Sequence, residues 1–142
     1  RVLRDGRNQG KYLLAIYADM DNLKIVNDRF GHKEGDFSLR SIAGMLKQIF
    51  DRKEDIIGRI GGDEFVVFAI RETPIDMQQL RMRAAECMAA FNRECEKPYY
   101  VRMTLGGYTQ SFMTGCKLSD LLEYADSDLY EAKKLRTKDI MK

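Results

Sequence analysis

Ile56-Ile57-Gly58-Arg59-Ile60-Gly61-Gly62-Asp63-Glu64-Phe65-Val66-Val67-Phe68-Ala69-Ile70 is the stretch on which the fold turns. Two runs rich in Ile, Val and Phe flank a glycine pair. Such runs predict strands, and Gly-Gly between them predicts a tight hairpin with φ > 0 at both turn positions. Asp63 and Glu64 follow the turn at once. Carboxylates beside a side-chain-free backbone suit the close approach of a metal-bound phosphate. The same composition also fits a hairpin whose tip merely carries solvated acids.

Upstream, Tyr12-Leu13-Leu14-Ala15-Ile16-Tyr17-Ala18 is nearly continuous in apolar residues and ends in Asp19-Met20-Asp21. An unbroken apolar run predicts a strand buried on both faces. Carboxylates at its end cannot stay charged in a core, so they must meet a cleft or a cation. Asp19 and Asp63 are therefore expected to face each other across adjacent strand ends. Hard oxygen ligands of this kind suit Mg²⁺, which uses one or two protein carboxylates plus substrate phosphates.

The remaining periodicity is helical. Leu23, Val26 and Phe30 predict one helix, and Leu39, Ile42, Ala43, Leu46 and Phe50 a second. A third is expected to open at Thr73-Pro74-Ile75-Asp76, with Pro74 in its first turn, and to bury Met77, Leu80, Ala84, Cys87, Met88 and Phe91. Lys97-Pro98 ends it. Tyr99 to Tyr108 reads as a strand whose Gly106-Gly107 marks a bulge or a close backbone approach. Leu118, Leu121, Leu122, Ala125, Leu129 and Ala132 form a last helical stripe. The order β-α-α-β-β-α-β-α predicts an α+β fold, with a central, mostly antiparallel sheet flanked by helices.

Composition sets the bounds. A chain of 142 residues with 44% hydrophobic and 32% charged residues can fold as one soluble domain. A net charge of +2 implies no strong field for nucleic acid or membrane. No apolar run approaches the roughly 20 residues of a membrane span. Cys87, Cys95 and Cys116 lack metal-ligand spacing and read as reduced cytosolic thiols.

Three blocks together resemble the GGDEF domain of diguanylate cyclases: Asp19 to Asp28, Gly31-His32-Lys33-Glu34-Gly35-Asp36, and Gly61 to Phe65. Their order and separation match as well as their content, and the resemblance runs from about residue 12 to Tyr130. It implies a ferredoxin-like core similar to the nucleotidyl cyclase and polymerase palm. It also implies a reaction in which two GTP molecules become cyclic di-GMP and pyrophosphate on a transient homodimer, in the cytoplasm. The Asp-x-Leu-Thr segment usual before the first strand of the family is not found. The expectation is a single domain over 1–142, trimmed from a longer protein whose input region, with any membrane anchor, lies elsewhere.

By the same resemblance, Asp19, Asp63 and the carbonyl of Met20 bind Mg²⁺, with Mn²⁺ as an alternative. Glu64 helps the metal, accepts the 3′-hydroxyl proton or is structural. Lys24 reaches a phosphate from the start of its helix, where free N–H groups assist. Asn27 and Asp36 match the guanine readers, a carboxylate accepting from N1–H and N2–H₂ and an amide both donating and accepting. Position alone equally makes Asp36 the N-cap of the helix that runs to Phe50. His32 reads as a turn residue. Arg52 and Asp55 stand at the spacing of the family's inhibitory product site, although Arg-x-x-Asp is also an ordinary surface ion pair.

The chain departs from the family at its end. Lys133 carries over as a phosphate ligand, but Thr137 holds the place of the family's phosphate-binding Arg, and Arg136 is a substitute one residue out of register. Leu23 replaces the usual Phe. Three readings follow: an active cyclase, a module that binds GTP or cyclic di-GMP without turnover, and a structural oligomerisation domain, which leaves the carboxylates unexplained.

Overall fold

The computed structural model describes residues 10–112 and 117–142. Cys116 and most of the stretch before the first strand lie outside them. The elements run β1 (Tyr12–Met20), α1 (Leu23–Phe30), α2 (His32–Ile49), β2 (Ile56–Ile60), β3 (Glu64–Arg71), α3 (Met77–Glu94), β4 (Met103–Ser111) and α4 (Leu118–Lys133). The sheet order is β2-β3-β1-β4, and every pairing is antiparallel. This is the ferredoxin-like order expected of the pattern.

Alternation along the strands divides the core. Leu14, Ile16, Ala18 and Met20 of β1 join Phe65, Val67 and Ala69 of β3 under α2 and α3, where Ile42, Leu46, Leu80 and Ala84 are buried. Leu13 and Ala15 face the other way, onto Leu121 and Ala125 of α4. β1 is thus covered on both faces, which explains its unbroken apolar run.

Gly106 is where α4 meets the sheet. A Cβ there would fall on the backbone of Leu129, and one at Gly107 would overlap the end of Ile16. The glycine pair is a site of close approach, one of the two alternatives its sequence offered.

Several boundaries differ from expectation. α3 begins at Met77, not at Pro74, because Asp76 is its N-cap and accepts from the N–H groups of Gln78 (2.9 Å) and Gln79 (3.3 Å). Asp76→Ala should cost about 1 kcal/mol of stability, the usual worth of such a cap, read as a lower urea midpoint. β4 begins at Met103, not at Tyr99. Residues 99–100 pair instead with the chain's last residues: Tyr99 bridges Met141, and Tyr100 N–H donates to the Ile140 carbonyl at 2.7 Å. In the hairpin only Gly61 has positive φ, 71°. The loop is three residues long, since Ile60 pairs with Glu64, so a two-residue turn with both glycines left-handed does not form.

Candidate active site

Asp19, next to last in β1, stands opposite Glu64 of β3, and Met20 N–H donates to the Asp63 carbonyl at 2.9 Å. The strand ends are thereby locked, and the side chains of Asp19 and Asp63 interact across them. Arg59 Nη2 donates to the Gly62 carbonyl at 2.7 Å and steadies the loop that carries Asp63. Asp19 is 3% exposed. Its Oδ2 pairs with the Lys133 ammonium and lies 3.7 Å from Arg136 Nη1, whereas Oδ1 is buried and accepts no hydrogen bond. Burial, above all, pushes this carboxyl up to about 6; Lys133 pulls the other way, and the Asp63 charge adds to the rise.

An orphaned carboxylate oxygen beside a second carboxylate is what a hard divalent cation would satisfy. Among the described residues no group of three or more His, Cys, Asp or Glu surrounds a point. Two carboxylates leave the remaining ligands of such an ion to come from outside these side chains. The residues fit Mg²⁺.

Asp21 and Asn22 hold this corner, a role the sequence did not disclose. Asp21 is buried; its Oδ1 accepts the Thr104 hydroxyl at 2.6 Å and lies 3.8 Å from Arg136 Nη1. Burial raises its carboxyl above the ordinary range, against the hydrogen bond from Thr104. Asn22 adopts φ 61°, ψ 33°, a left-handed conformation that Asn tolerates better than most residues. Its Nδ2 donates to the Thr137 carbonyl at 2.9 Å, tying the tail after α4 to the start of α1.

The other expected residues divide. Asn27 lies on α1 against Gly35 of α2, where a Cβ would overlap Asn27 Oδ1; that oxygen is buried and has no partner. Asp36 is exposed and lies inside α2, which begins at His32, so it is not the helix N-cap. Lys24 is exposed and paired with Asp28 at 2.8 Å, an i,i+4 surface pair that holds its ammonium weakly. Asp55 is otherwise engaged: Arg71 Nη1 and Nη2 donate to its two oxygens at 2.8 and 2.9 Å, and its side chain is 1% exposed. Arg52 is exposed and lines a cavity of about 320 Å³ with Arg71 and Arg83.

The family model for the diguanylate cyclase GGDEF domain matches residues 1–139. This chain belongs to the GGDEF family. It is 36% identical over 135 residues to the diguanylate cyclase DgcP of Pseudomonas aeruginosa, covering 94% of this chain and 19% of that protein. It is 34% identical over 135 residues to the diguanylate cyclase DgcS of Shewanella oneidensis, covering 93% and 42%. The chain therefore spans less than half the length of these curated relatives. Among solved structures, diguanylate cyclase SiaD of Pseudomonas aeruginosa, in complex with its activator SiaC, superposes with a TM-score of 0.74 at 28% identity, covering 95% of this chain and 51% of that one. The GGDEF domain of DgcB from Caulobacter crescentus, in complex with c-di-GMP, gives 0.74 at 20% identity and 93% and 78% coverage, a likeness of fold. No helix among the described residues is long and apolar enough to cross a membrane.

Proposed function

We propose that this GGDEF domain condenses two GTP molecules into cyclic di-GMP. Each 3′-oxygen forms a bond to the α-phosphorus of the other nucleotide as the bond from that phosphorus to pyrophosphate breaks. The observation that carries the reading is the buried, unpartnered Oδ1 of Asp19 beside Asp63, with Lys133 and Arg136 on the same cluster. Opposite charges gathered at two strand ends suit a triphosphate, where catalysis is chiefly positioning and charge stabilisation.

Asp19, Asp63 and the Met20 carbonyl would hold Mg²⁺, or Mn²⁺ in its place. Such an ion, when bound, offsets phosphate charge and acidifies the attacking hydroxyl. Glu64, at the head of β3, would help hold the ion or accept that proton. Lys133 and Lys24 bind phosphate oxygens, and Arg136 takes the part that Thr137 cannot. Asn27 and Asp36 read the guanine edge; adenine would leave donors and acceptors unpaired, at a cost of about 1–3 kcal/mol for each buried group. One domain holds one such site, so two copies meet head to head for each turnover. A GTP substrate suits a cytoplasmic setting for this segment.

Cyclic di-GMP acts as an inhibitor at the corner of Arg52 and Asp55. There Arg52, Arg71 and Arg83 offer guanidinium forks to its phosphates, and Asp55 holds Arg71 in place.

Incubation of concentrated protein with GTP and Mg²⁺, with products resolved by chromatography and mass, tests the reading. Cyclic di-GMP should form, at a rate per protein that rises with protein concentration and vanishes on chelation. No product, with GTP or cyclic di-GMP still bound in a calorimetric titration, would establish the second reading, a binding module. The observation favouring that module is Thr137 in place of the family Arg.

A further inference from the structure

The start of α2 carries Gly35 and Asp36, yet its N-cap, Gly31, supplies no side-chain hydrogen bond. Something else fixes that end of the helix. Glu34 Oε1 accepts the Tyr99 hydroxyl at 2.7 Å and lies 2.9 Å from Lys97 Nζ, and Oε2 lies 3.2 Å from the same ammonium. Tyr99 is fully buried and its ring stands 5.0 Å from that of Phe30, the last residue of α1. Lys97 also sits over the Phe37 ring at 4.7 Å.

The anchor itself is rigid. Val101 exchanges hydrogen bonds with the buried Asn92 side chain, at 2.8 Å through N–H and 2.9 Å through its carbonyl. Tyr100 N–H donates to Ile140, and Lys142 N–H donates to the Pro98 carbonyl at 3.1 Å. Residues 97–101 are thus held by α3 on one side and by the chain's last residues on the other. Glu34 fastens α2 to that anchor, and its neighbour Gly35 abuts Asn27.

We propose that Glu34, Tyr99 and Lys97 form a latch that positions Gly35 and Asp36 against Asn27 and thereby sets the choice of nucleotide base. The three are positioning residues: they hold the start of α2, which carries Asp36, against α1, which carries Asn27. The inference rests on the reading of Asn27 and Asp36 as guanine ligands. Glu34 suits the task because an ionised carboxylate accepts from a hydroxyl and an ammonium at once, in a fixed direction. Lys97 and the Tyr99 hydroxyl also hold its carboxyl below the ordinary range, so the latch stays closed near neutral pH.

The test is equilibrium binding of the non-cyclising α,β-methylene analogues of GTP and ATP to the parent, Tyr99→Phe, Glu34→Ala, Glu34→Gln and Asp36→Ala, with melting temperature and kcat for GTP recorded for each. Tyr99→Phe keeps the buried ring and removes only the hydroxyl. It should weaken the guanosine analogue about tenfold, the scale of one charge-assisted hydrogen bond. The adenosine analogue should be unaffected, and kcat at saturating GTP should stay within about twofold. Glu34→Ala should behave alike. Glu34→Gln, which still accepts the Tyr99 hydroxyl but loses the charge that holds Lys97, should fall between the parent and Glu34→Ala. Parent-like selectivity in both Tyr99→Phe and Glu34→Ala, while Asp36→Ala loses it, overturns the latch alone. Selectivity unchanged in Asp36→Ala as well overturns the guanine reading beneath it.

Discussion

Asp19→Asn should reduce cyclic di-GMP formation by about a thousandfold, the rate equivalent of roughly 4 kcal/mol of lost charge stabilisation at the reacting phosphate. The same change should make the metal-free protein more stable. Asp19 is buried, and burial raises its carboxyl from 3.8 to about 6. Between those values the folded state keeps a proton that the unfolded chain releases. Stability contributed by this group therefore falls as pH rises from about 4 to 6, and the whole cost stands at neutral pH. An uncharged Asn avoids it, and Lys133, which is 30% exposed, can turn to water. The expected gain is about 1 kcal/mol or more, a rise of roughly 3–5 °C in melting temperature at pH 7 and little change at pH 4. Addition of Mg²⁺ with GTP should stabilise the parent and not the variant. A variant that melts lower than the parent at neutral pH, or turns over at a comparable rate, would show that Asp19 is a structural ion-pair partner of Lys133 and no ligand.

Arg71→Ala should be strongly destabilising. The Asp55 side chain is 1% exposed, and both its oxygens are held by Arg71. Removing the guanidinium leaves a buried carboxylate with no counter-charge and only the Arg52 N–H, 3.3 Å from its Oδ2, a change worth about 3–5 kcal/mol. That is a large share of the roughly 5–15 kcal/mol that holds a domain folded. Chemical denaturation should show it as a lower midpoint at unchanged slope. The double variant Arg71→Met, Asp55→Leu should recover most of the loss, because replacing both partners removes the unpaired charge. A single-variant loss below about 1 kcal/mol would mean that water reaches Asp55, against its burial. Product inhibition gives a second readout. If Arg71 is part of the inhibitor's cradle, the double variant should fold and turn over yet lose sensitivity to cyclic di-GMP.

What the sequence disclosed was what repeats along one element. The unbroken run of β1, the stripes of α2 and α4 and the hairpin were legible because each is a local period answering to one buried face. The meeting of Asp19 and Asp63 was legible too, since one stands near a strand end and the other in the hairpin loop beside it. Contacts that join distant segments were not. Arg71 reads as the polar end of a strand until the sheet sets Asp55, 16 residues earlier, beside it. The sequence reads Tyr99 as the start of a strand, whereas its hydroxyl bonds Glu34, 65 residues away. Arg136 is one residue out of register against the position of the family's phosphate-binding Arg. The helix ends at Lys133 in tighter bonds, Leu135 N–H to Ala132 and Arg136 N–H to Lys133. With about three residues per turn, side chains three apart stack, which brings Arg136 back over Lys133 and onto Asp19.

Gly106 has no side chain, and the backbone of α4 settles on the sheet through that gap. The height of α4 above β1 is therefore written at one silent position, and Lys133, a single helical turn beyond Leu129, inherits it. A methyl group at 106 would lift the helix as a shim lifts a beam, carrying the ammonium away from Asp19 while every reacting residue kept its identity. The spacing between the cationic helix and the acidic strand ends is thus a heritable dimension of this domain, adjustable from inside its packing and invisible to any inspection confined to the charged groups.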